Sequence, residues 1–432
     1  MNEPSFVHLH VHTHYSLLDG ATRIEALIER AKQFDMPAVA ITDHGNMFGA
    51  IEFYAAARRA GIKPIIGCEA YLAPGDRRAK GGSGSRNGGE EKDYYHLLLL
   101  AMNSEGYQNL MRLSSIGYTE GFYRKPRIDK QVLREYSAGL LCTSTCLSGE
   151  IPRTFLNKDR AAAEALAKGY LDIFGPDRFF IEIQDHKLPE QKMLNPELVD
   201  MADRLGVAVV ATNDVHYLEH DDVEAHDVLC CINTGKLLSD EDRFKFTSDQ
   251  FYFKSSREMT DLFADYPQAL ANTLHAADLC NLELDLDKRH APVFRVPKEI
   301  TDDGNDTLTD AAYLRQLVYE GAKERYGDIT PQLRERIEYE LEVITGKGFA
   351  SYFLIVWDCV RYARAKGIPV GARGSGCSAV VAYCLHISMP DPVRYGLYFE
   401  RFMDPDRDEM PDIDLDICQN GRGDLLEYVR NK

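Results

Sequence analysis

Four histidines occupy alternate positions near the start of this 432-residue chain, at His8, His10, His12 and His14. Alternate side chains of a β-strand lie on one face, so a strand here would present four imidazoles together. Burying several polar rings without partners is unfavourable, and a purely structural role for all four is therefore a poor explanation. Imidazole nitrogens are common metal ligands, so the pattern predicts that some of these histidines bind metal ions.

Other side chains able to bind metals follow the predicted strands further along the chain. They are Asp43, His44, Glu69, His96, Cys146, Asp214 and His216. Nitrogen, oxygen and sulfur ligands together suit zinc, or manganese or iron where oxygen ligands dominate. Because these residues outnumber the ligands of one tetrahedral ion, we expect two or three ions. Neighbouring ions polarise phosphoryl oxygens and stabilise leaving oxygens, which indicates chemistry on phosphate esters.

The elements that must position these residues alternate between strand and helix patterns. The predicted strands are 6–12, 38–44, 63–71, 95–102, 140–145, 179–183 and 207–217. Strands that alternate with amphipathic helices predict an α/β fold with a parallel sheet, here a closed or nearly closed β/α barrel. Candidate ligands near strand ends would converge at one rim of such a barrel. An open doubly wound sheet is the alternative, but no glycine-rich turn follows the first strand.

A glycine- and serine-rich segment and an acidic segment stand out towards the end of the chain. Residues 370–378 read VGARGSGCS before a predicted helix, and such a loop lets backbone N–H groups approach an anion, with Arg373 adding charge. The same composition also occurs in ordinary tight turns. Further on, Asp412, Asp414 and Asp416 alternate with apolar residues, which places three carboxylates on one face of a strand. This arrangement favours cation binding over a charged strand edge.

Charge and composition limit the classes of protein that fit this chain. The 50 Lys and Arg against 68 Asp and Glu give a formal net charge of −18, so contact with a polyanion needs a local basic patch or bound metal. No apolar run approaches the roughly 18 residues of a membrane span, and we expect none. The ten cysteines form no CxxC motif or regular framework, which favours the cytoplasm.

A change in composition divides the chain into two predicted domains. Residues 285–306 combine prolines, a glycine and many charges, and we expect domains 1–285 and 286–432 on either side of this boundary. Helical patterns dominate the second domain. The chain ends within the amphipathic run 424–432, so we expect it to be part of a longer protein.

Four stretches resemble the PHP (polymerase and histidinol phosphatase) domain. They are FVHLHVHTHYSLLDG, AITDHGNMFGAIEFY, GIKPIIGCEAY and ATNDVHY. The most similar version is the one at the N-terminus of bacterial C-family replicative DNA polymerases, and the resemblance covers essentially the whole chain. It implies a distorted, seven-unit β/α barrel of the PHP type, followed by an incomplete α+β polymerase palm of the nucleotidyltransferase-like class.

The resemblance implies a set of nine metal-binding residues, and each position has a match in this sequence. They are His10, His12, Asp19, His44, Glu69, His96, Cys146, Asp214 and His216. These residues would hold two or three divalent ions, zinc or manganese, and retention of all nine implies a 3′–5′ exonuclease. His8 and His14 lie outside the matched set, and we expect them to support it or to pack around it.

The second half resembles the palm of the same polymerases through the glycine–serine loop and a PDxDxD strand. The resemblance implies that Asp414 and Asp416 hold two Mg²⁺ ions for DNA synthesis, while Arg373, Gly374 and Ser375 bind the triphosphate of a deoxynucleotide. It also implies primer–template DNA, a sliding clamp and other replisome subunits as partners. The loop is one residue shorter than the usual GPGRGS, and a third catalytic aspartate, thumb and fingers lie beyond this chain. We therefore expect no polymerisation by this chain alone.

Two other functions fit part of the sequence. A stand-alone PHP phosphoesterase acting on a small phosphate monoester would explain the histidines equally well, but it leaves the glycine–serine loop and the acidic strand without a role. A catalytically silent scaffold that supports DNA or partner proteins is the other alternative. Loss of candidate ligands would favour the scaffold, and none of the nine is lost.

Overall fold

The computed structural model describes residues 5–80, 93–157, 159–286, 292–297, 308–407 and 410–432. The chain divides into two compact units, Met1–Asp285 and Leu286–Lys432. Most of the predicted boundary segment 285–306 lies outside the described residues. Each unit has its own apolar core, so each is described separately.

The first unit alternates strands and helices. Its strands are β1 (Ala38–Ile41), β2 (Lys63–Leu72), β3 (Tyr95–Ala101), β4 (Phe122–Tyr123), β5 (Lys125–Ile128), β6 (Leu140–Thr143), β7 (Phe179–Gln184) and β8 (Val209–Thr212). Its helices are α1 (Ile24–Gln33), α2 (Ala50–Ala60), α3 (Ser104–Thr119), α4 (Lys130–Glu135), α5 (Glu150–Asn157), α6 (Arg160–Phe174), α7 (Pro189–Leu205), α8 (Val223–Thr234), α9 (Ser256–Leu262) and α10 (Pro267–Leu279).

The sheet curls, and the segment that carries the alternating histidines closes it. The strand order is β4-β5-β2-β3-β6-β7-β8, with β1 paired to β2. On one side of the first segment, Ala40 N donates to His8 O at 2.9 Å; on the other, Val215 N donates to His10 O at 3.1 Å. The first segment is thus held between β1 and the residues after β8 by intermittent bonds rather than as a regular strand. The predicted α/β barrel is confirmed.

Two strands depart from the predicted parallel arrangement. The short strand β4 pairs antiparallel with β5. Strand β3 runs antiparallel to both of its neighbours, β2 and β6, so the prediction of an all-parallel sheet was wrong there. Parallel neighbours need a crossover connection, usually a helix, whereas the chain between β2 and β3 contains the stretch GGSGSRNGG. The glycine- and serine-rich composition of residues 75–93 predicts a surface loop, of which residues 81–92 lie outside the described residues. Because of the reversal, the beginning of β3, with His96, pairs with the end of β2 at Tyr71.

The second unit is mainly helical and carries one small sheet. Its helices are α11 (Asp310–Tyr326), α12 (Pro331–Gly346), α13 (Ala350–Ala365), α14 (Val380–Cys384) and α15 (Gln419–Asn431), and its strands are β9 (Val370–Arg373) and β10 (Asp414–Ile417). Helices α11 to α14 enclose a core in which Leu314, Ile337 and Phe353 are fully buried. Buried Glu340 links two of these helices, because it accepts hydrogen bonds from Val381 N at 2.9 Å and Arg336 Nε at 2.7 Å.

No single helix among the described residues has the length and apolar character to cross a membrane. Helices α12 and α13, bent by 111° at the break between them, meet the criterion as a pair by length and composition only.

The packing of α3 against the barrel depends on a glycine. A Cβ atom at Gly106 would lie 1.8 Å from the carbonyl oxygen of Gly139, whereas a Cβ atom at Gly169 in α6 would meet nothing within 4 Å. We expect Gly106→Ala to lower the free energy of unfolding by about 1–3 kcal/mol through overpacking. Gly169→Ala should raise it by roughly 0.5–1 kcal/mol, because alanine favours the helix. Thermal unfolding followed by circular dichroism measures both changes, and equal effects of the two substitutions would contradict this packing.

Candidate functional site

The structure brings the nine predicted ligands together at one rim of the barrel. The chain before α1 supplies His10, His12 and Asp19. The ends of β1 and β2 and the beginning of β3 supply His44, Glu69 and His96. The residues after β6 and β8 supply Cys146, Asp214 and His216. Strands from opposite sides of the sheet thus place their side chains in one cluster, as in other β/α barrels.

A first group of ligand atoms consists of His10, His12 and Asp214. Their atoms meet closely: His10 Nε2 lies 3.1 Å from His12 Nε2, and each of these nitrogens lies 3.1 Å from Asp214 Oδ1. Asp214 has φ +44°, a left-handed backbone conformation that few residues other than glycine adopt. Two imidazole nitrogens and a carboxylate oxygen therefore face one another at a strained position, a pattern typical of functional sites.

A second group surrounds Glu69, which is 1% exposed. Its Oε2 atom lies 2.9 Å from His44 Nδ1 and 3.0 Å from His96 Nδ1. Its Oε1 atom accepts a hydrogen bond from Thr145 Oγ1 at 2.6 Å and lies 3.6 Å from Cys146 Sγ. One carboxylate thus contacts side chains from three separate parts of the chain.

A third group consists of His12, His44 and His216. The His12 ring stacks between the other two, with centroid distances of 4.0 Å to His44 and 4.3 Å to His216. Asp19 Oδ1 lies 3.5 Å from His44 Nε2. In each of the three groups the ligand atoms lie within 4.8 Å of one another, and His12 and His44 each belong to two groups. Shared members of this kind suit neighbouring ions rather than one isolated ion.

Four buried atoms in the cluster have no hydrogen-bond partner: Asp19 Oδ1, His44 Nδ1, Glu69 Oε2 and Asp214 Oδ1. Although His44 Nδ1 and Glu69 Oε2 are 2.9 Å apart, they are not aligned for a hydrogen bond. Leaving such atoms unpaired is costly unless a cation binds them. The residues present therefore fit divalent metal ions.

The ionisable side chains of the cluster shift one another's pKa values. Burial opposes ionisation of Glu69, but His96 and His10 lower the pKa of its carboxyl well below the usual range. Burial likewise opposes a charge on His44, yet Asp19 and Glu69 raise the pKa of this imidazole to about 10. The cluster thus compensates its carboxylates with positive charge, the electrostatic role that bound cations would take over.

Glu182 is a member of the site that sequence reasoning missed. Its Oε1 atom lies 2.8 Å from His10 Nδ1, and its carboxylate also accepts hydrogen bonds from Thr143, Thr212 and Gln184. A carboxylate behind a ligating histidine fixes the tautomer, which leaves Nε2 free to bind metal. The sign of this role in the sequence was the single glutamate, Glu182, within the otherwise apolar strand pattern FFIEIQ.

The remaining histidines of the first run lie outside the cluster. His8 is buried; its Nε2 lies 2.8 Å from Lys254 O, and its ring packs on Phe253. His14 is exposed and contacts the Tyr15 ring. Asp43, another candidate from the sequence, instead accepts hydrogen bonds from Thr13 N at 2.7 Å and from Ser16 Oγ at 2.8 Å, so it holds the turn that follows His12.

The cluster lies at the floor of a cavity of about 330 Å³. Seven of the nine predicted ligands line this cavity, while His10 and His12 are fully buried below it. The other lining residues come from the segments around residues 146–148, 184–191 and 244–251. The space suits a small group such as a phosphate ester together with its first substituents.

In the second unit, the acidic strand pairs with the glycine–serine loop. Strands β9 and β10 are antiparallel, with Asp414 opposite Arg373. Arg373 Nη1 lies 3.2 Å from Asp414 Oδ2, and Arg373 Nε lies 3.2 Å from Asp416 Oδ1. Asp412, Asp414 and Asp416 are all exposed, and Ile413 between them is buried. The predicted carboxylate face thus exists, and a guanidinium bridges two of its members.

The loop after β9 forms a tight 3₁₀ turn over Gly374–Ser378. Gly374 has φ +74°, a conformation that glycine adopts without strain. Arg373, Gly374 and Ser375 are all exposed, next to the carboxylate face. The predicted anion-binding residues and the predicted cation-binding carboxylates therefore lie side by side.

The contact between Glu182 and His10 generates a prediction. We expect Glu182→Gln to weaken Mn²⁺ or Zn²⁺ binding by about 10- to 100-fold, because an amide orients His10 Nε2 less firmly and makes it less basic. Competition against a chromophoric chelator measures the affinity. Glu190→Gln, on the exposed beginning of α7, is the matched control. Equal affinities of the two variants would contradict the role of Glu182.

Comparison with known proteins finds one family match in each of the two units. Residues 8–186 match the PHP domain, and residues 312–432 match the bacterial DNA polymerase III alpha NTPase domain. The DNA polymerase III subunit alpha of Treponema pallidum is 46% identical over 433 residues, which cover 100% of this chain and 36% of that protein. The subunit of Borreliella burgdorferi is also 46% identical, and that of Helicobacter pylori is 44% identical; each match covers 99% of this chain and 36% of the relative.

Among solved structures, a two-domain Bacteroides vulgatus protein is described as containing a predicted PHP-like metal-dependent phosphoesterase. It is 12% identical, with a TM-score of 0.33, over 60% of this chain and 65% of that one. This overlap is too loose to bear on the site. The sequence relatives are close, although the chain spans only about 36% of their length. The chain belongs to the family of bacterial DNA polymerase III alpha subunits and carries the PHP domain of that family.

Proposed function

We propose that the first unit, residues 1–285, is a metal-dependent 3′–5′ exonuclease that removes nucleotides from the end of a DNA strand. The observation that carries the proposal is a convergence of side chains around four buried, unpaired polar atoms. Seven of the nine predicted ligands form three close groups, and Asp19 and Cys146 adjoin them through His44 and Glu69. Burying these unpaired atoms is unfavourable without a cation, so their presence favours a metal centre over a scaffold without catalytic function.

The metal-binding residues in this proposal are those of the rim cluster. They are His10, His12, Asp19, His44, Glu69, His96, Cys146, Asp214 and His216. The mixed donor set suits two or three ions of zinc or manganese. When bound, such ions supply Lewis-acid polarisation of phosphoryl oxygens and of water.

The reaction is hydrolysis of the terminal phosphodiester. A water oxygen forms a bond to phosphorus, the bond from phosphorus to the 3′ oxygen of the preceding nucleotide breaks, and the proton goes to that oxygen. The products are a nucleoside 5′-monophosphate and a shortened strand with a 3′-hydroxyl. The residues of this chain hold the centre in place: Glu182 orients His10, while Asp43 holds the turn that carries Ser16 against His12.

For the second unit, residues 286–432, we propose the role of an incomplete polymerase palm. Asp414 and Asp416 would hold Mg²⁺, and Arg373, Gly374 and Ser375 would bind the triphosphate of a deoxynucleotide. The support is the antiparallel pairing that sets Arg373 beside both carboxylates. Arg373 has to exchange these carboxylates for phosphate oxygens when Mg²⁺ and nucleotide bind.

In the complete subunit, these parts would serve template-directed DNA synthesis. We propose primer–template DNA and deoxynucleotides as substrates, and a sliding clamp and other replisome subunits as partners, because the relatives named DNA polymerase III subunit alpha share 41–46% identity with this chain. We also propose a cytoplasmic location, which agrees with ten free cysteines.

Removal of a metal ligand tests the exonuclease. We expect the purified chain to contain two or three equivalents of metal and to digest 3′-mismatched primer–template DNA, with chelator abolishing the digestion. His12→Ala or Asp214→Ala should lower the rate at least about 100-fold, because each removes a ligand atom shared within a group. Elemental analysis and gel-based nuclease assays measure these effects, and His14→Ala, the exposed histidine of the same run, is the matched control.

Two outcomes would redirect the proposal. Bound metal with turnover of a small phosphate monoester, but without digestion of DNA, would support a stand-alone phosphoesterase. Absence of both metal and activity would support a silent scaffold.

The palm proposal needs the complete subunit for its test. We expect Asp414→Asn or Asp416→Asn to reduce primer extension by at least about 1,000-fold, because each removes a carboxylate that holds catalytic metal. Asp412→Asn, the neighbouring exposed carboxylate of the same run, should retain most of the activity. Primer-extension kinetics at saturating Mg²⁺ measure the three variants, and equal losses in all of them would contradict the assignment.

A further inference from the structure

Residues 244–247 border the mouth of the barrel cavity, and no role in the metal centre accounts for them. Phe244, Lys245, Phe246 and Thr247 all line the same cavity of about 330 Å³ as the metal cluster. The segment belongs to the irregular chain between α8 and α9. Its side chains combine an exposed ring, a cation and a half-buried aromatic anchor, which are the elements of a nucleotide-binding site.

Phe246 anchors the segment to the metal cluster. Its half-buried ring lies edge-on to His216 at a centroid distance of 4.7 Å and to His226 at 4.8 Å. It also lies edge-on to Phe251 at 4.7 Å. Edge-to-face contacts at these distances are favourable and directional. The position of the segment is therefore fixed relative to the candidate metal ligand His216.

Lys245 adds an exposed cation at the mouth of the cavity, whose lining also includes histidines of the metal cluster. Among the described residues that line it, Lys245 is the one lysine or arginine, against the carboxylates of Asp19, Glu69 and Asp214. Lys245 is exposed, and within the described residues it forms no ion pair. A chain with a net charge of −18 needs local cations to hold a polyanion. An unpaired lysine at the cavity mouth meets this need.

Phe244 offers a ring to the solvent beside this lysine. It is 43% exposed, and its ring contact among the described residues is the edge-on contact with Phe246 at 5.7 Å. Exposed aromatic rings next to a cation are the usual elements that stack nucleic-acid bases and pair with the backbone in single-stranded DNA sites.

We propose that Phe244 and Lys245 bind the 3′-terminal nucleotides of a single DNA strand. Phe244 stacks on the terminal base, and Lys245 pairs with a backbone phosphate, while Phe246 keeps both side chains at a fixed distance from the metal cluster. The segment therefore binds a strand end whose terminal nucleotide carries a base more tightly than an end whose terminal nucleotide has no base. This inference rests on the proposed exonuclease function and specifies how that site recognises its substrate.

The test compares two oligonucleotides with the Mn²⁺-loaded full chain. One is a 5′-labelled single strand of thymidines, and the other is the same strand with an abasic 3′-terminal nucleotide. We expect Phe244→Ala to raise KM for the first roughly tenfold, with little change in kcat, and to leave KM for the abasic strand unchanged. Phe244→Tyr should restore the wild-type KM, because its ring also stacks.

Lys245→Met tests the phosphate contact separately. We expect it to raise KM for both oligonucleotides and to reduce the slope of log KM against log salt concentration by about 0.7, the value for one contact to a single strand. Phe48→Ala is the matched control, because Phe48 is 59% exposed and does not line the cavity. It should change neither KM.

The outcomes separate this inference from the function on which it rests. A metal-loaded wild-type chain that digests neither strand would reject the exonuclease itself. Digestion of both strands by the wild type with an unchanged KM in Phe244→Ala would overturn the stacking role alone. If Phe244→Ala lowers kcat equally on both strands and Phe244→Tyr does not restore it, the segment only supports His216 structurally, and the stacking role is rejected.

Discussion

The carboxylate of Glu69 is the contact point on which the barrel rim depends. Its two oxygens lie within 3.6 Å of nitrogen atoms from His10, His12, His44 and His96, side chains from three different strands or segments. A buried carboxylate is unstable without compensating charge, so the histidines around it cannot be replaced by apolar residues independently of one another. The geometry of the whole cluster therefore follows from one buried negative charge and the strand ends that converge on it.

The reversed strand β3 allows this convergence. In a strictly parallel barrel, the first residues of a strand lie at the rim opposite to the candidate site, and His96 would be on the wrong side. Because β3 runs antiparallel, His96 pairs across the sheet with Tyr71 and reaches Glu69. The distorted sheet thus contributes directly to the composition of the site, because the reversal of β3 brings His96 to Glu69.

The candidate metal-binding carboxylates of the two units differ in their burial and in their partners. In the first unit the carboxylates are buried, and each has an oxygen atom without a hydrogen-bond partner. These oxygens lie in one cluster, which forms a rigid site for cations. In the second unit Asp414 and Asp416 are exposed, and the ion pairs with Arg373 that bridge them contribute little energy in water. A rigid buried centre suits tightly held metal ions, whereas an exposed pair suits ions that enter with a nucleotide and leave with its products.

The local pattern of the sequence determined a large part of this protein. Alternating strands and helices predicted the barrel, period-two spacing predicted the carboxylate face of β10, and the resemblance to PHP domains named the nine residues that now lie together. These features depend on neighbours close in sequence. The direction of β3, the position of Glu182 behind His10 and the placement of Phe244 and Lys245 at the cavity mouth were decided only by the tertiary structure. They arise from contacts between residues far apart in the chain, such as the 172 positions between His10 and Glu182, and no local periodicity records such contacts.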